Sequence, residues 1–429
     1  DSHAASAHAA RGAAMTADLK DTPIPPNAIN EQHGSRSKQK NWRHRATVEL
    51  TNALVHAKVL PGGGHIAEFR FVAGDGPSGG NVLWEAPWST YDPGTPEFES
   101  FDAAQSDLGT RRFLATYTGH ALCLDGFGPA PAEDVALGAA LHGEASVTTW
   151  VFNLSSDSSA KCVANLPLAK LRVQRDISLL PNETVLRVDE RITNESESEH
   201  RVHWVQHATV GAPIFQKYKA RVTSSVEQGR TWPDDYEGEN LLKQDAGFDW
   251  PHAPREDHGM ADLRELFAEA GKGFVAAAHQ PLTREHGFVA VSDADAGLTM
   301  GYVFRADVFP WVTFWEENCV RQEVPWCGTV QARGLEFGTT PFPLGNATVD
   351  ANGPVLGYPS SCKLAAHQTM RAPWVLFLAK APHGATQVDD VRVLSDEIVL
   401  VLGSQSLRLP ASGIEQFLSN SDVPTGDAA

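Results

Sequence analysis

Leu171-Arg172-Val173-Gln174-Arg175-Asp176-Ile177-Ser178-Leu179-Leu180-Pro181-Asn182-Glu183-Thr184-Val185-Leu186-Arg187-Val188-Asp189-Glu190-Arg191-Ile192 reads as two strands joined by a tight turn. Leu171, Val173, Ile177 and Leu179 keep an alternating register, Pro181-Asn182 supplies turn chemistry, and Leu186, Val188 and Ile192 alternate again on the return. Period two on both arms marks a hairpin with one buried face.

Working outward, strand signals run almost the length of the chain. They cover Ala46 to Leu50, Ala53 to Leu60, a glycine turn at Gly62-Gly63-Gly64, His65 to Val72, Val82 with Trp84, and Ala145 to Asn153. They resume at Arg201 to Val210, Lys219 to Val226, Phe274 to His279, Phe288 to Val291, Leu298 to Arg305, Trp311 to Trp315 and Thr329 to Glu336, and close with Trp374 to Leu378 and Ile398 to Leu402. Only Met260 to Ala270 reads as a helix, stopped by Gly271. So many strands, without a fixed repeat or a long linker, predict one all-β domain over 46–410, its antiparallel sheets stacked face to face. Residues 1–45, with Thr22-Pro23-Ile24-Pro25-Pro26 and an Ala/His/Ser-rich start, read as a disordered or loosely attached tail, and 411–429 as a second tail.

At 429 residues and 42% hydrophobic content the chain can bury a large core. Its formal charge of −18 and the lack of a basic patch argue against nucleic acid. Eleven Trp suit flat sugar faces, and equally suit core packing. Cys123, Cys162, Cys319, Cys327 and Cys362 show neither a CxxC pair nor Cys/His zinc spacing, so no disulfide framework or structural zinc is expected. Unpaired thiols and the missing charged-then-apolar start point to the cytoplasm, with a leader removed ahead of Asp1 as the alternative. No apolar run reaches membrane-spanning length, so no membrane partner is expected. The oligomeric state is not legible.

Five segments carry residues able to do chemistry. In Arg333-Gly334-Leu335-Glu336-Phe337-Gly338 a single acid sits inside an apolar, glycine-flanked run. Burial there raises a carboxyl pKa toward the range useful to a general base. The same acid serves equally well as a buried partner of Arg333. Gly119 to Pro129 and Leu141-His142-Gly143-Glu144 bring His120, Asp125, His142 and Glu144 into a Gly/Pro-rich stretch ahead of a strand. His120 there also reads as a structural hydrogen-bonder. Period two places His203, Val205 and His207 on one strand face, with Trp204 and Gln206 on the other. Trp311 to Asn318 interleaves Trp315 with Glu316 and Glu317, where aromatic rings serve as platform or as core. No phosphate loop, HExxH, GxSxG or dinucleotide fingerprint occurs. His142, Glu144 and His207 include metal-ligand types, but carboxylates with histidines also work on sugars without a metal, so no cofactor is called for.

At these residues the chain resembles the aldose 1-epimerase, or galactose mutarotase-like, superfamily in a divergent bacterial branch. The matching motifs are Gly119 to Asp125, His142 to Ala145, His207 to Pro213, Trp315 to Asn318 and Arg333 to Gly338, within about 47–405. The resemblance implies a β-supersandwich of large antiparallel sheets with few short helices. It also implies His207 as general acid, Glu336 as general base, and His142 as a second histidine near the sugar's ring oxygen. Trp315 would stack on the sugar; His120, Asp125, Glu144, Glu317 and Arg333 would contact it. The partner would be a small sugar or glycoside. The implied activity is most simply anomer interconversion by acid/base ring opening. The alternatives are a lyase, isomerase or deglycosylase acting on a modified sugar, and a non-catalytic carbohydrate-binding protein. Either enzyme requires His207 and Glu336 to converge on one pocket, expected about a sugar ring apart.

Overall fold

The computed structural model describes residues 40–72, 79–103, 106–215, 219–236, 240–380 and 386–419. Two large antiparallel sheets dominate them. The first has 13 strands. From one edge these run Lys40–Trp42, Arg45–Thr51, Val55–Val59, Ile66–Phe71, His120–Leu124 and Trp204–Gly211. Gln331–Gly338, Trp311–Asn318, Phe274–His279 and Gln228–Thr231 follow, and Gly247–Asp249, His252–Pro254 and Met260–Asp262 end it. The second has eight strands, ordered Ala220–Ser224, His286–Asp293, Leu298–Arg305, Thr369–Lys380, Val185–Asn194, Leu171–Leu179, Ser159–Leu166 and Val151–Ser156. The 171–192 hairpin therefore lies inside this sheet, with Val173 opposite Ile192 and Ile177 opposite Val188 as the alternation requires.

The sheets are joined by apolar packing and by a buried polar network. Gln206 Nε2 and Trp204 Nε1, from the first sheet, donate to Glu190 Oε1 of the second at 2.6 and 2.5 Å. Arg175 pairs with Glu190 and also donates to Gln206 Oε1 at 3.3 Å. Each of these side chains is buried, so the partners replace the water that each polar group has lost.

Several boundaries differ from the sequence expectation. Pairing begins with Lys40–Trp42, whose Trp42 is buried, earlier than the expected start at 46; residues 1–39 of the expected tail lie outside the described residues. At the other end, helix Ile414–Ser419 buries Ile414 and Leu418. They pack with Val391, Ile398 and Leu400 of a three-stranded sheet against Val185, Phe288 and Phe377. Residues 411–419 are thus part of the fold, and 420–429 lie outside the described residues. Met260–Asp262 is a strand paired with His252–Pro254, not the start of a helix. Helical backbone bonds are pre-empted there: Asp262 Oδ1 takes the Arg264 N–H at 3.1 Å and Glu316 Oε2 takes that of Phe267 at 3.0 Å. Val82 and Trp84 lie in a loop, and Ala145–Val147 is a single 3-10 turn ahead of the strand at Val151. Helices occur instead at Pro96–Glu99, Leu108–Thr116, Ala132–Leu137 and Asn346–Asn352.

Candidate active site

The site is built on the face of the 13-stranded sheet that looks away from the second sheet. Strand Trp204–Gly211 pairs with Gln331–Gly338 so that Gln206 opposes Phe337 and Thr209 opposes Gly334, which sets His207 directly across from Glu336. Directly opposed residues on one face bring their side chains together. Nε2 of His207 accordingly lies 3.4 Å from Oε1 of Glu336. On the other side of the Gln331–Gly338 strand, Trp315 pairs with Gly334 and joins the same face. Gly334 is required by this geometry, because a Cβ built on it would overlap Oε1 of Glu336.

A cavity of about 370 Å³ opens over the pair and is lined by His142, His207, Trp315 and Glu336 among others. Helix Leu108–Thr116, capped by the Asp107 side chain on Thr110 N–H at 3.0 Å, delivers Phe113 and Tyr117 to it. Those two rings stack at 4.6 Å. The Tyr117 hydroxyl sits 2.5 Å from Thr209 Oγ1 and 3.4 Å from Nδ1 of His207. His142 adopts φ 67°, and its neighbour Gly143 is at φ 89° where a Cβ would meet the Leu124 carbonyl. The Gly128 N–H donates to Nδ1 of His142 at 3.0 Å, while the His142 N–H donates to the Gly128 carbonyl at 2.9 Å. A neutral His142 so held carries its proton on Nε2. Its ring lies 5.3 Å from that of His207.

Burial sets the proton balance. It holds His207 down at about 4 and His142 well below the ordinary imidazole value. It pushes Glu336 well above the ordinary carboxyl value. Desolvation is the largest cause of both shifts, so both members of the pair are driven toward uncharged forms. Both shifts favour a protonated carboxyl facing a neutral imidazole.

His207, Glu336, His142 and Trp315 thus meet in one cavity. The other expected contacts lie elsewhere. His120 points from its strand into the space between the sheets, 0% exposed, with Nε2 2.9 Å from Gln206 Oε1, Nδ1 3.1 Å from the Tyr302 hydroxyl and its ring stacked 4.7 Å from Trp374. Arg333 faces the same interior, donating to Glu316 Oε2 at 2.6 Å and to the Leu263 carbonyl. Glu317 is fully buried behind the cavity wall, accepting from Val320 N–H and Arg321 at 2.7 Å each and from Tyr236 at 3.2 Å. Glu144 turns away to the Leu168 N–H at 3.0 Å, and burial raises it to about 7. Asp125 pairs with His200 at 3.0 Å and holds Asn346 through its carbonyl. His203 faces Thr340 at 3.1 Å and Asp350 at 3.4 Å. Among the described residues no three His, Cys, Asp or Glu side chains form a metal-binding group; Glu144 does not join His142 and His207. Tyr117, Tyr236, Arg321 and Trp326 also line the cavity without being marked by any motif. The one available signal is the i, i+4 spacing of Phe113 and Tyr117 ahead of Gly119.

No helix among the described residues is long and apolar enough to cross a membrane. No family model and no curated protein matches the sequence. Solved structures share its fold. A candidate aldose 1-epimerase from Klebsiella pneumoniae aligns with a TM-score of 0.52 at 14% identity, covering 76% of this chain and 76% of its own. A candidate aldose 1-epimerase from Escherichia coli K12 gives 0.52 at 11% identity, covering 78% and 99%. A galactose mutarotase-like protein from Clostridium acetobutylicum gives 0.50 at 13% identity, covering 80% and 97%. At such identities the likeness is one of architecture. The chain adopts the galactose mutarotase-like fold, a β-supersandwich of large antiparallel sheets with few short helices.

Proposed function

We propose that the cavity binds a sugar and that His207 and Glu336 interconvert its anomers. The observation that carries this reading is the 3.4 Å contact between the two side chains inside the cavity. Ring opening breaks the C1–O5 bond: O5 keeps the electron pair and takes a proton from the acid, while the base removes the proton from O1, which becomes the aldehyde oxygen. Both oxygens are bonded to C1. The groups that serve them must therefore stand side by side, which is what the cross-strand pair does, in place of the ring-width separation expected from the sequence.

The proton count closes. Glu336, the protonated member at rest, gives its proton to O5 as neutral His207 accepts that of O1 through Nε2. If the carboxyl proton first passes to His207, the roles are those expected from the sequence, with Glu336 as base and His207 as acid. After rotation about C1–C2, the same two transfers run backward on the other face of the aldehyde and restore the starting pair. His142, neutral with Nε2–H, is a hydrogen-bond donor to ring or hydroxyl oxygen beside the pair. Trp315, its ring 6.0 Å from His207, offers an apolar face to the sugar's C–H bonds.

The test is polarimetry on freshly dissolved α-glucose, α-galactose and a panel of other aldoses. Acceleration of any of them supports the reading. The uncatalysed rate throughout contradicts it, and leaves the same pair to a lyase, isomerase or deglycosylase reaction on a modified sugar.

A further inference from the structure

His142 and Asp125 both sit in the left-handed region that side chains rarely adopt, at φ 67° and 51°, on backbone segments that touch. Leu124 and Gly143 form a parallel bridge, and a Cβ on Gly126 would overlap the Gly143 backbone. Such a conformation costs free energy and persists only where its surroundings over-determine it. For His142 those surroundings include its two hydrogen bonds with Gly128, so the placement of the ring follows the placement of Gly128. What fixes Gly128 lies behind the cavity wall.

Asp125 is tied at each of its polar groups. Its N–H donates to the His203 carbonyl at 2.8 Å, its carbonyl accepts from Asn346 Nδ2 at 2.7 Å, and its Oδ1 lies 3.0 Å from Nε2 of His200. The carboxylate raises the His200 imidazole above its ordinary value, as a partner of opposite charge does. These ties come from strand His200–Val202, from the residue that follows it, and from helix Asn346–Asn352. Farther along the loop the Phe127 carbonyl accepts from the Gly345 N–H at 2.8 Å. Gly128 then packs on the Pro343 carbonyl, which a Cβ at that position would overlap. Gly128, Pro343 and His142 line the cavity, with Asp125, His200 and Asn346 behind them.

We propose that Asp125 is a positioning residue: tied to His200 and Asn346, it holds the 125–128 loop and, through Gly128, the His142 ring beside the His207–Glu336 pair. Its kinetic side rests on the sugar reading above. The role replaces the sugar contact implied by the sequence, because the carboxylate faces His200. The chemistry at stake is the direction of one hydrogen bond. With the Gly128 N–H aimed at Nδ1, neutral His142 keeps its proton on Nε2 and donates. With the loop displaced, the proton can sit on Nδ1, and Nε2 then presents a lone pair where the site needs a donor.

The experiment compares wild type with Asp125→Gly, Asp125→Asn and His200→Ala near neutral pH. Glycine removes the carboxylate and is at ease at positive φ; asparagine keeps an accepting oxygen and is tolerated there. Long-range proton–nitrogen NMR of histidine-labelled protein reads the His142 tautomer, its signal assigned by its loss in His142→Gln, and amide hydrogen exchange reads the Gly128 N–H. Wild type should show the Nε2–H form alone. Asp125→Gly should mix the two tautomers and speed exchange at Gly128 roughly tenfold, the loss of one hydrogen bond to a charged group. His200→Ala should do the same, and carries the comparison should Asp125→Gly not fold; Asp125→Asn should restore both readouts. An unchanged tautomer and unchanged Gly128 protection in Asp125→Gly and His200→Ala overturn the proposal. In kinetics, Asp125→Gly should lower kcat/KM for anomer interconversion roughly tenfold, yet add little to the loss already present in His142→Gln. Equal losses in both backgrounds would mean general loosening of the fold and overturn it. An altered His142 tautomer with no sugar turned over by wild type upholds the positioning role and overturns the reaction.

Discussion

Nε2 of His207 stands 3.4 Å from Oε1 of Glu336 across two neighbouring antiparallel strands, and the two residues are 5% and 2% exposed. The working form of such a pair holds one proton. Lowering the pH through about 4 adds a second proton, on His207, and abolishes the base. Raising the pH past the elevated value of Glu336 removes the carboxyl proton, and abolishes the acid. The kcat/KM profile for anomer interconversion should therefore be bell-shaped, with its acid limb near pH 4 and its alkaline limb well above the ordinary carboxyl range. Activity that rises once through the ordinary carboxyl pKa and then stays flat would mean that Glu336 works as a solvated base.

Gly334 gives the Glu336 carboxyl its room. In Gly334→Ala the added methyl must displace that carboxyl from His207, while the strand pairing with Thr209 and Trp315 is retained. The expected result is a loss of about a hundredfold in kcat with an unchanged circular dichroism spectrum, because small misplacements of a catalytic group are costly. Full activity would show that the contact at Glu336 is not what drives turnover.

Tyr117 orients the imidazole. With Nε2 of His207 turned to Glu336, Nδ1 carries the proton and faces two oxygens, Thr209 Oγ1 at 3.3 Å and the Tyr117 hydroxyl at 3.4 Å, which themselves lie 2.5 Å apart. Tyr117→Phe keeps the stack on Phe113 and removes one of the two oxygens, together with the hydroxyl that holds Thr209 Oγ1 in place. One neutral hydrogen bond is worth about 1 kcal/mol, so kcat/KM should fall roughly fivefold. The imidazolium loses more than the neutral ring, so the acid limb should move to lower pH. A rate loss without that shift would assign Tyr117 to packing alone.

Arg333 makes the opposite prediction. It is 0% exposed and paired with Glu316 inside the sheet-to-sheet interior, on the far side of the strand from Glu336. Arg333→Met strands a buried carboxylate and should cost about 3–5 kcal/mol of stability by chemical denaturation. The folded fraction should keep its KM. A raised KM with unchanged stability would return Arg333 to the sugar.

These contrasts show what was legible in the sequence. The 171–192 hairpin and the sheet architecture could be read because alternation records which positions are buried, whereas the joint arrival of His142, His207, Trp315 and Glu336 was implied by the family resemblance of the motifs that carry them. Arg333 and Glu336 are three residues apart on one strand, so period two alone sends them to opposite faces, a signal present in the sequence from the start. His120 offered no such help. Strands His120–Leu124 and Trp204–Gly211 are buried on both faces, and alternation cannot say which face looks into the cavity and which into the core. The partners that settle it, Tyr302 and Trp374, come from the other sheet, far along the chain. The helix expected at Met260 failed for a related reason: its backbone N–H groups are claimed by Asp262 and Glu316 side chains, one of them brought in by tertiary packing.

The most direct test of the central claim is magnetisation exchange between the α and β anomeric protons of a sugar at equilibrium, recorded with wild type, Glu336→Gln and His207→Asn. Wild type should transfer magnetisation between the two signals. Each variant, folded by circular dichroism, should lose it by about 10²–10⁴-fold, as expected when a positioned acid or base is removed. Exchange that persists in both variants, or is absent from wild type with every aldose tried, would contradict the assignment of the His207–Glu336 pair to anomer interconversion.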